Sequence, residues 1–261
     1  GSLVVDLLDR MKERVDEPER VVGLVDVDGS ARTIAEDGDV VRIGALVTLS
    51  EIAASDLVPA SLREAAAQAA SLQIRNRATL GGNLCNASPC ADTSPATLIL
   101  DARFILQGPD GERSLPAGEF FLGPGQTALR PGEFMTSIRF PPPPASAVAN
   151  YQKLGRCRSG DLSLVGVAVV GSPVASTRSR YRFRIGLGSV APTPIRALQA
   201  EELLAASPPD EEAFALAAQK AQSAAAPITD VRGTADYQLA MVHALTKRAL
   251  REVWAKLKET D

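Results

Sequence analysis

A chain of 261 residues with 45% apolar side chains is long enough for one large domain or two smaller ones with ordinary cores. A net charge of -3 with both signs interspersed, no basic stripe, no apolar run long enough to span a bilayer and no opening signal-peptide pattern argue against nucleic-acid binding, membrane insertion and secretion. One histidine and three cysteines exclude a disulfide framework and argue against a Ser-His-Asp triad or a metal centre, so the expected setting is cytoplasmic and the expected chemistry is that of a bound cofactor.

Residues 3–15 carry apolar side chains at helical spacing among Asp, Arg and Lys and predict an amphipathic helix. Residues 20–27 read as a strand ending in the turn Asp28-Gly29, and residues 40–46 as a second strand. Thr48 and Glu51 stand at capping-box spacing and predict the start of a short helix. The Ala-rich stretch 59–71 reads as a helix, whereas residues 73–90 lack apolar periodicity and read as a loop. Ser94-Pro95 has the form of an N-cap with Pro at the first helical position, leading into residues 96–100. Residues 102–107 and 113–115 read as a hairpin around Pro109-Asp110-Gly111, and residues 133–140 as a further strand.

The four consecutive prolines 141–144 cannot continue a strand ladder and form a stiff spacer. The expected domain boundary lies there, with residues 1–144 in one domain and 145–261 in the other. Beyond it residues 149–153, 162–170 and 180–190 read as strands; Arg182 and Arg184 alternate with Phe183 and Ile185, as on a half-buried strand. Residues 197–206, 210–226 and 234–258 read as helices, and in the last of these Tyr237, Met241, Leu245, Ala249 and Val253 share one face. The expected fold class is α+β, in two domains, without an internal repeat.

The chemistry concentrates in Gln73 to Thr93, around Thr79-Leu80-Gly81-Gly82-Asn83. Two adjacent glycines let the backbone take up positive φ and come close to a ligand, and successive exposed N–H groups then form an anion-binding nest. Thr79 and Asn83 flank the pair with a hydroxyl and an amide suited to phosphate oxygens. Asp92 is an acceptor-only group suited to a sugar or ribityl hydroxyl. Taken alone, a Gly-Gly pair between polar residues is more often a plain turn. Neither G-x-x-x-x-G-K-[ST] nor G-x-G-x-x-G after a strand is present, and Gly186-Leu187-Gly188, inside a strand-like segment, reads as structural. Arg75 and Arg77 suit phosphate charge or salt bridges that anchor the loop. Cys85 and Cys90 read as packing residues without a thiolate-stabilising pattern. His243 reads as a structural or surface histidine in the last helix.

The run from Ile74 to Asp92 resembles the second flavin motif of the FAD-binding subunits of molybdenum hydroxylases, the family of xanthine dehydrogenase and carbon monoxide dehydrogenase. The resemblance continues in order through Val41-Arg42-Ile43-Gly44-Ala45-Leu46-Val47-Thr48-Leu49, Tyr151-Gln152-Lys153-Leu154-Gly155-Arg156, Gly188 to Pro194 and Asp230 to Tyr237. It covers nearly the whole chain. It implies a two-domain FAD-binding fold, with an N-terminal α/β FAD-binding region and a C-terminal sheet-plus-helices domain. It also implies that Thr79, Leu80, Gly81, Gly82 and Asn83 hold the FAD diphosphate and nearby ribityl, and that Asp92 bonds the ribityl or ribose side. Lys153 would lie near the isoalloxazine pyrimidine edge, and Met135 would pack on the flavin ring. Outside the resemblance, Lys153 reads as a solvated lysine and Met135 as core.

The family's earlier glycine motif, A-G-G-[TS], would end where this sequence starts. Gly1-Ser2 is either its last residues or an expression remnant, and the sequence is expected to be truncated there. The function so implied is an electron-transfer flavoprotein subunit. It would take electrons from 2Fe-2S clusters of an iron-sulfur subunit, fed by a molybdopterin-binding large subunit, in a dimer of heterotrimers. It would pass them to an external acceptor. The competing readings are a non-catalytic assembly subunit with a vestigial flavin site and a stand-alone flavin oxidase.

Overall fold

The computed structural model describes residues 7–8, 10–24, 29–157 and 160–260. Along the first part of the chain run β1 (Ile34–Asp37), β2 (Val40–Gly44), α1 (Leu49–Ala54), α2 (Ala60–Gln68), α3 (Leu72–Arg75), α4 (Leu80–Cys85) and α5 (Thr93–Ile99). They are followed by β3 (Arg103–Gly108), β4 (Gly111–Pro116), α6 (Ala117–Phe120), the short pair β5 (Phe121–Gly123) and β6 (Gln126–Thr127), and β7 (Phe134–Phe140). The second part carries β8 (Val148–Leu154), β9 (Val165–Pro173), β10 (Tyr181–Gly188), β11 (Ile195–Arg196), α7 (Leu198–Ala206), α8 (Glu211–Ala224) and α9 (Ala235–Thr260).

Two antiparallel sheets organise these elements, one in the order β1-β2-β7-β3-β4 and one in the order β11-β10-β9-β8. Ile43, Phe104, Ile138 and Phe140 on one face of the first sheet pack with Leu49, Ile52, Leu62, Leu80, Leu84 and Ile99 from the helices. Strand β9 is apolar on both sides, which explains its unbroken run of small and β-branched residues. Val165, Val167 and Val169 enter a second core with Phe183, Phe214, Leu250 and Val253, while Ala168 and Val170 enter the first. Helices α2 and α5 therefore cover one face of the second sheet, and α7 and α9 cover the other. A side chain at Gly186 would run into the backbone of Pro95, so that glycine lets α5 lie directly on β10. Among the described residues no helix is long and apolar enough to cross a membrane.

The capping box is present in full, with Thr48 and Glu51 exchanging side-chain and backbone hydrogen bonds. Three expectations change. Residues 73–90 are not a loop: they hold α3 and α4, of four and six residues, too short to show a 3.6-residue period. Residues 20–24 form no strand, and 25–27 lie outside the described residues, as does Asp28 of the expected turn, while Gly29 opens a 3-10 turn. Helix α5 starts at Thr93, with Asp92 at the cap, which moves Pro95 to the third helical position. Of the expected helix at 3–15, residues 7–8 and 10–12 are helical, and 3–6 and 9 lie outside the described residues.

Candidate functional site

The segment Thr79 to Asn83 is pinned to the turn after β2. Thr48 and Thr79 face each other across an isolated antiparallel bridge. The N–H of Leu49 donates to the carbonyl of Ala78, and the N–H of Leu80 to that of Val47, each at 2.9 Å. Each threonine caps the helix that follows it: Thr48 Oγ1 accepts from Glu51 N at 3.2 Å and Thr79 Oγ1 from Gly82 N at 3.1 Å. A Cβ on Gly81 would stand 2.6 Å from Ala45 Cβ and 2.8 Å from its carbonyl oxygen. Gly81 is thus required by a backbone crossing.

This geometry corrects the expectation of a positive-φ nest. Gly81 and Gly82 lie within the α4 helix, and a nest needs left-handed residues. The first N–H groups of α4 are engaged: Leu80 with Val47, Gly81 with Ala45, Gly82 with Thr79 Oγ1 and Asn83 with the Thr79 carbonyl. Leu80 is fully buried and anchors the segment in the first core. Groups that can meet a ligand here are side chains.

Those side chains line a cavity of about 280 Å³ formed by Asn83, Asn86, Ser88, Cys90 and Asp92 together with the apolar Ile74 and Leu162. Asn83 Oδ1 accepts from Thr93 Oγ1 at 2.6 Å, which fixes the amide against the start of α5. Beside this cavity lies a second, of about 360 Å³, lined by Gln68, Lys153, Arg156 and Cys157. Both cavities share Gly160 and Asp161.

Asp92 and Lys153, predicted as separate cofactor contacts, bond each other. Lys153 Nζ donates to Asp92 Oδ2 at 2.8 Å, to the Gln68 carbonyl at 2.9 Å and to the Asp161 carbonyl at 3.0 Å, which engages all three ammonium protons. Tyr151 donates its hydroxyl to Asp92 Oδ1 at 2.8 Å. Burial pushes the Asp92 carboxyl above the usual carboxylate range, against the pull of Lys153 and Tyr151. The Tyr151 phenol is driven well above its ordinary value by burial and then by the Asp92 charge. Tyr151 was not singled out by sequence. It stood at the head of the Tyr151–Arg156 resemblance, and its position two residues before Lys153 gives both side chains the same face of a strand.

Met135 is buried in the first core and pairs with Leu106 just past a register shift in the β3–β7 ladder. The bulge gives both Met135 and Ile138 the core side despite their odd spacing. Arg75 donates to the Ala69 and Ala70 carbonyls at 2.9 Å each, so it anchors the loop through backbone and makes no salt bridge there. Cys85 fits its packing role, with burial pushing its thiol up to about 12. Cys90 does not: Arg232 Nη1 donates to its Sγ at 2.6 Å, a guanidinium partner 142 residues away that local spacing does not reveal.

The comparisons with known proteins agree with this architecture. Residues 5–143 match the family model for the FAD binding domain in molybdopterin dehydrogenase, and residues 149–253 that for the CO dehydrogenase flavoprotein C-terminal domain. The chain is 37% identical to the carbon monoxide dehydrogenase medium chain of Hydrogenophaga pseudoflava, over 96% of this chain and 87% of that one. It is 31% identical to the xanthine dehydrogenase FAD-binding subunit of Escherichia coli O157:H7, over 85% and 77% respectively. The solved structure of carbon monoxide dehydrogenase from Hydrogenophaga pseudoflava superposes with a TM-score of 0.89 at 38% identity, covering 96% of this chain and 87% of that chain. Quinoline 2-oxidoreductase from Pseudomonas putida 86 superposes at 0.86 with 27% identity, covering 95% and 86%.

Proposed function

Because the chain belongs to the FAD-binding subunits of the molybdenum hydroxylase family, we propose that the cavity beside α4 is the part of its flavin site contributed by these residues. The observation that carries the reading is the polar set on that cavity: the amides of Asn83 and Asn86, the Ser88 hydroxyl and the accepting Asp92 carboxylate, beside a helix start held against the Ala45 turn. Uncharged amides and hydroxyls suit ribityl and diphosphate oxygens. Asp92 is compatible with a sugar contact because each carboxylate oxygen keeps a second lone pair beyond its bond to Lys153 or Tyr151. Thr79, Leu80, Gly81 and Gly82 hold this wall in place, and Asn83 reaches the ligand.

FAD, when bound, supplies the electron-transfer chemistry, and the protein supplies position and electrostatics. Lys153 stands on the lining of the second cavity with its charge paired to Asp92. With its three protons engaged, it holds the Asp92 carboxylate in place and offers a ligand no fourth hydrogen bond. Met135 supports the site from the core. We take the domain boundary at residues 144 and 145, at the end of the proline run and in the gap between the family matches 5–143 and 149–253. We further propose a cytoplasmic complex with an iron-sulfur subunit and a molybdopterin-binding large subunit, assembled as a dimer of heterotrimers. Relatives named as medium chains and FAD-binding subunits support the multi-subunit part of this reading.

Gly82→Val tests the cavity assignment. A β-branched side chain in the first turn of α4, next to Asn83, is expected to abolish the visible flavin band of the purified full-length protein while circular dichroism stays unchanged. Full flavin occupancy in that variant, or no flavin in wild-type protein purified with its partners, would overturn the reading.

A further inference from the structure

Three arginines cross the face of the first sheet that points away from its core. The register sets Arg42 on β2 directly opposite Arg139 on β7, and Arg139 directly opposite Arg103 on β3. Directly paired residues share a face, and the chain neighbours Val41, Ile43, Phe104, Ile138 and Phe140 are all buried on the other one. Adjacent strands stand about 4.8 Å apart, so the three stems rise within roughly 10 Å of one another. Like charges facing each other across an antiparallel pair are destabilising.

No carboxylate offsets that repulsion among the described residues. Arg42 donates to the Ser30 carbonyl at 2.7 Å and to Thr33 Oγ1 at 2.9 Å; Arg103 donates to Ser114 Oγ at 2.8 Å and to its carbonyl at 3.3 Å. All these acceptors are neutral, and they lie on opposite flanks, so the outer guanidinium groups lean away from the middle one. Arg139, in the middle, has its Nε buried and without a hydrogen-bond partner. A buried donor without an acceptor is a standing penalty on the folded chain.

The chain is acidic as a whole, with a net charge of -3, so this row is a local reversal of its field. Because Arg42 and Arg103 are tethered outward, the three cations form a line and do not converge on a point. A line of cations fits carboxylates spaced along a polypeptide better than it fits one small oxyanion. We propose that the Arg42–Arg139–Arg103 row is the docking surface for an acidic segment of a partner polypeptide, with a partner carboxylate accepting from Arg139. This inference stands apart from the flavin reading, since none of the three residues lines either cavity beside α4.

The test uses the full chain and a fluorescein-labelled decaglutamate peptide, read by fluorescence anisotropy at low and physiological salt. Wild type is expected to bind the peptide more tightly at low salt. Arg139→Met is expected to weaken binding about tenfold while raising the thermal midpoint of the isolated chain, because it removes both the like charge and the unpartnered donor. Arg178→Met, at an exposed arginine on another loop, is expected to change binding less than about twofold. Absence of binding at low salt overturns the proposal. So does an equal loss in both variants, which would mean diffuse charge. A lowered midpoint with unchanged affinity in Arg139→Met would make Arg139 purely structural. Displacement of the peptide by equimolar inorganic phosphate would make the row a small-oxyanion site.

Discussion

Lys153 on β8 and Asp92 at the cap of α5 hold each other at 2.8 Å, with side chains only 9% and 7% exposed. The pair ties the segment that carries Asn83 and Cys90 to the second sheet. Removing one partner leaves a nearly buried charge unpaired, whereas removing both leaves none. Asp92→Leu or Lys153→Met alone is therefore expected to cost about 3–5 kcal/mol in urea unfolding. The double variant should recover most of that loss. A double variant as unstable as the sum of the two singles would show that the residues are not coupled.

A second coupling runs through Gly166. It lies opposite Lys153 across β8 and β9, and a Cβ there would stand 2.5 Å from the Tyr151 hydroxyl oxygen. Gly166→Ala is expected to overpack the site by about 1–3 kcal/mol and to push the phenol off Asp92. Tyr151→Phe removes the atom that clashes. Gly166→Ala combined with Tyr151→Phe should therefore have a higher thermal midpoint than Gly166→Ala alone. If the extra substitution lowers it further, the hydroxyl is not what Gly166 accommodates.

These couplings show where sequence reading succeeds and where it stops. The Thr48 capping box, the β3–β4 hairpin and the long helix α9 rest on spacings of a few residues and were legible. In α9, Leu245, Ala249 and Val253 are buried as their periodicity predicts, and the face frays to exposed Tyr237 at its start. Helices α3 and α4 were not legible, because four and six residues give no measurable period, and α4 is held by tertiary bonds to Ala45 and Val47. Asp92 was picked out by its acceptor chemistry and Lys153 by family resemblance, each singly. That they neutralise each other depends on 61 residues of intervening fold.

The crossing at Ala45 yields a third expectation. Gly81→Ala places a methyl against Ala45 Cβ and its carbonyl, at the point where the N–H of Gly81 donates to that carbonyl at 2.9 Å. Helix propensity alone would favour alanine by up to about 1 kcal/mol, but overpacking a backbone crossing costs about 1–3 kcal/mol. The net effect is expected to be destabilising, measured as a lower urea midpoint with an unchanged m-value. A stabilised Gly81→Ala variant would mean that the turn at Ala45 yields freely, and that α4 is less firmly held than its hydrogen bonds imply.

The acid limb of stability should depend on Glu133 and not on Asp92. Arg113 donates to both Glu133 oxygens at 2.7 Å and the Arg130 N–H adds a third bond at 2.7 Å, which clamps the turn entering β7. The Arg113 hydrogen bonds, followed by the Arg130 amide, pull the Glu133 carboxyl from 4.5 down to about 2. A carboxyl depressed in the folded state binds fewer protons there than in the unfolded chain, so its contribution is present above about pH 4.5 and is lost as pH falls towards about 2. Asp92 has the opposite sign. Its raised pKa contributes stability below the ordinary aspartate range, and that contribution is lost as pH rises through the folded value. Glu133→Gln should therefore lower stability at neutral pH and flatten its decline between about pH 4.5 and 2, while Asp92→Asn leaves that decline in place. Urea midpoints collected against pH decide the matter, and an unchanged acid slope in Glu133→Gln would remove the Arg113 clamp from the account.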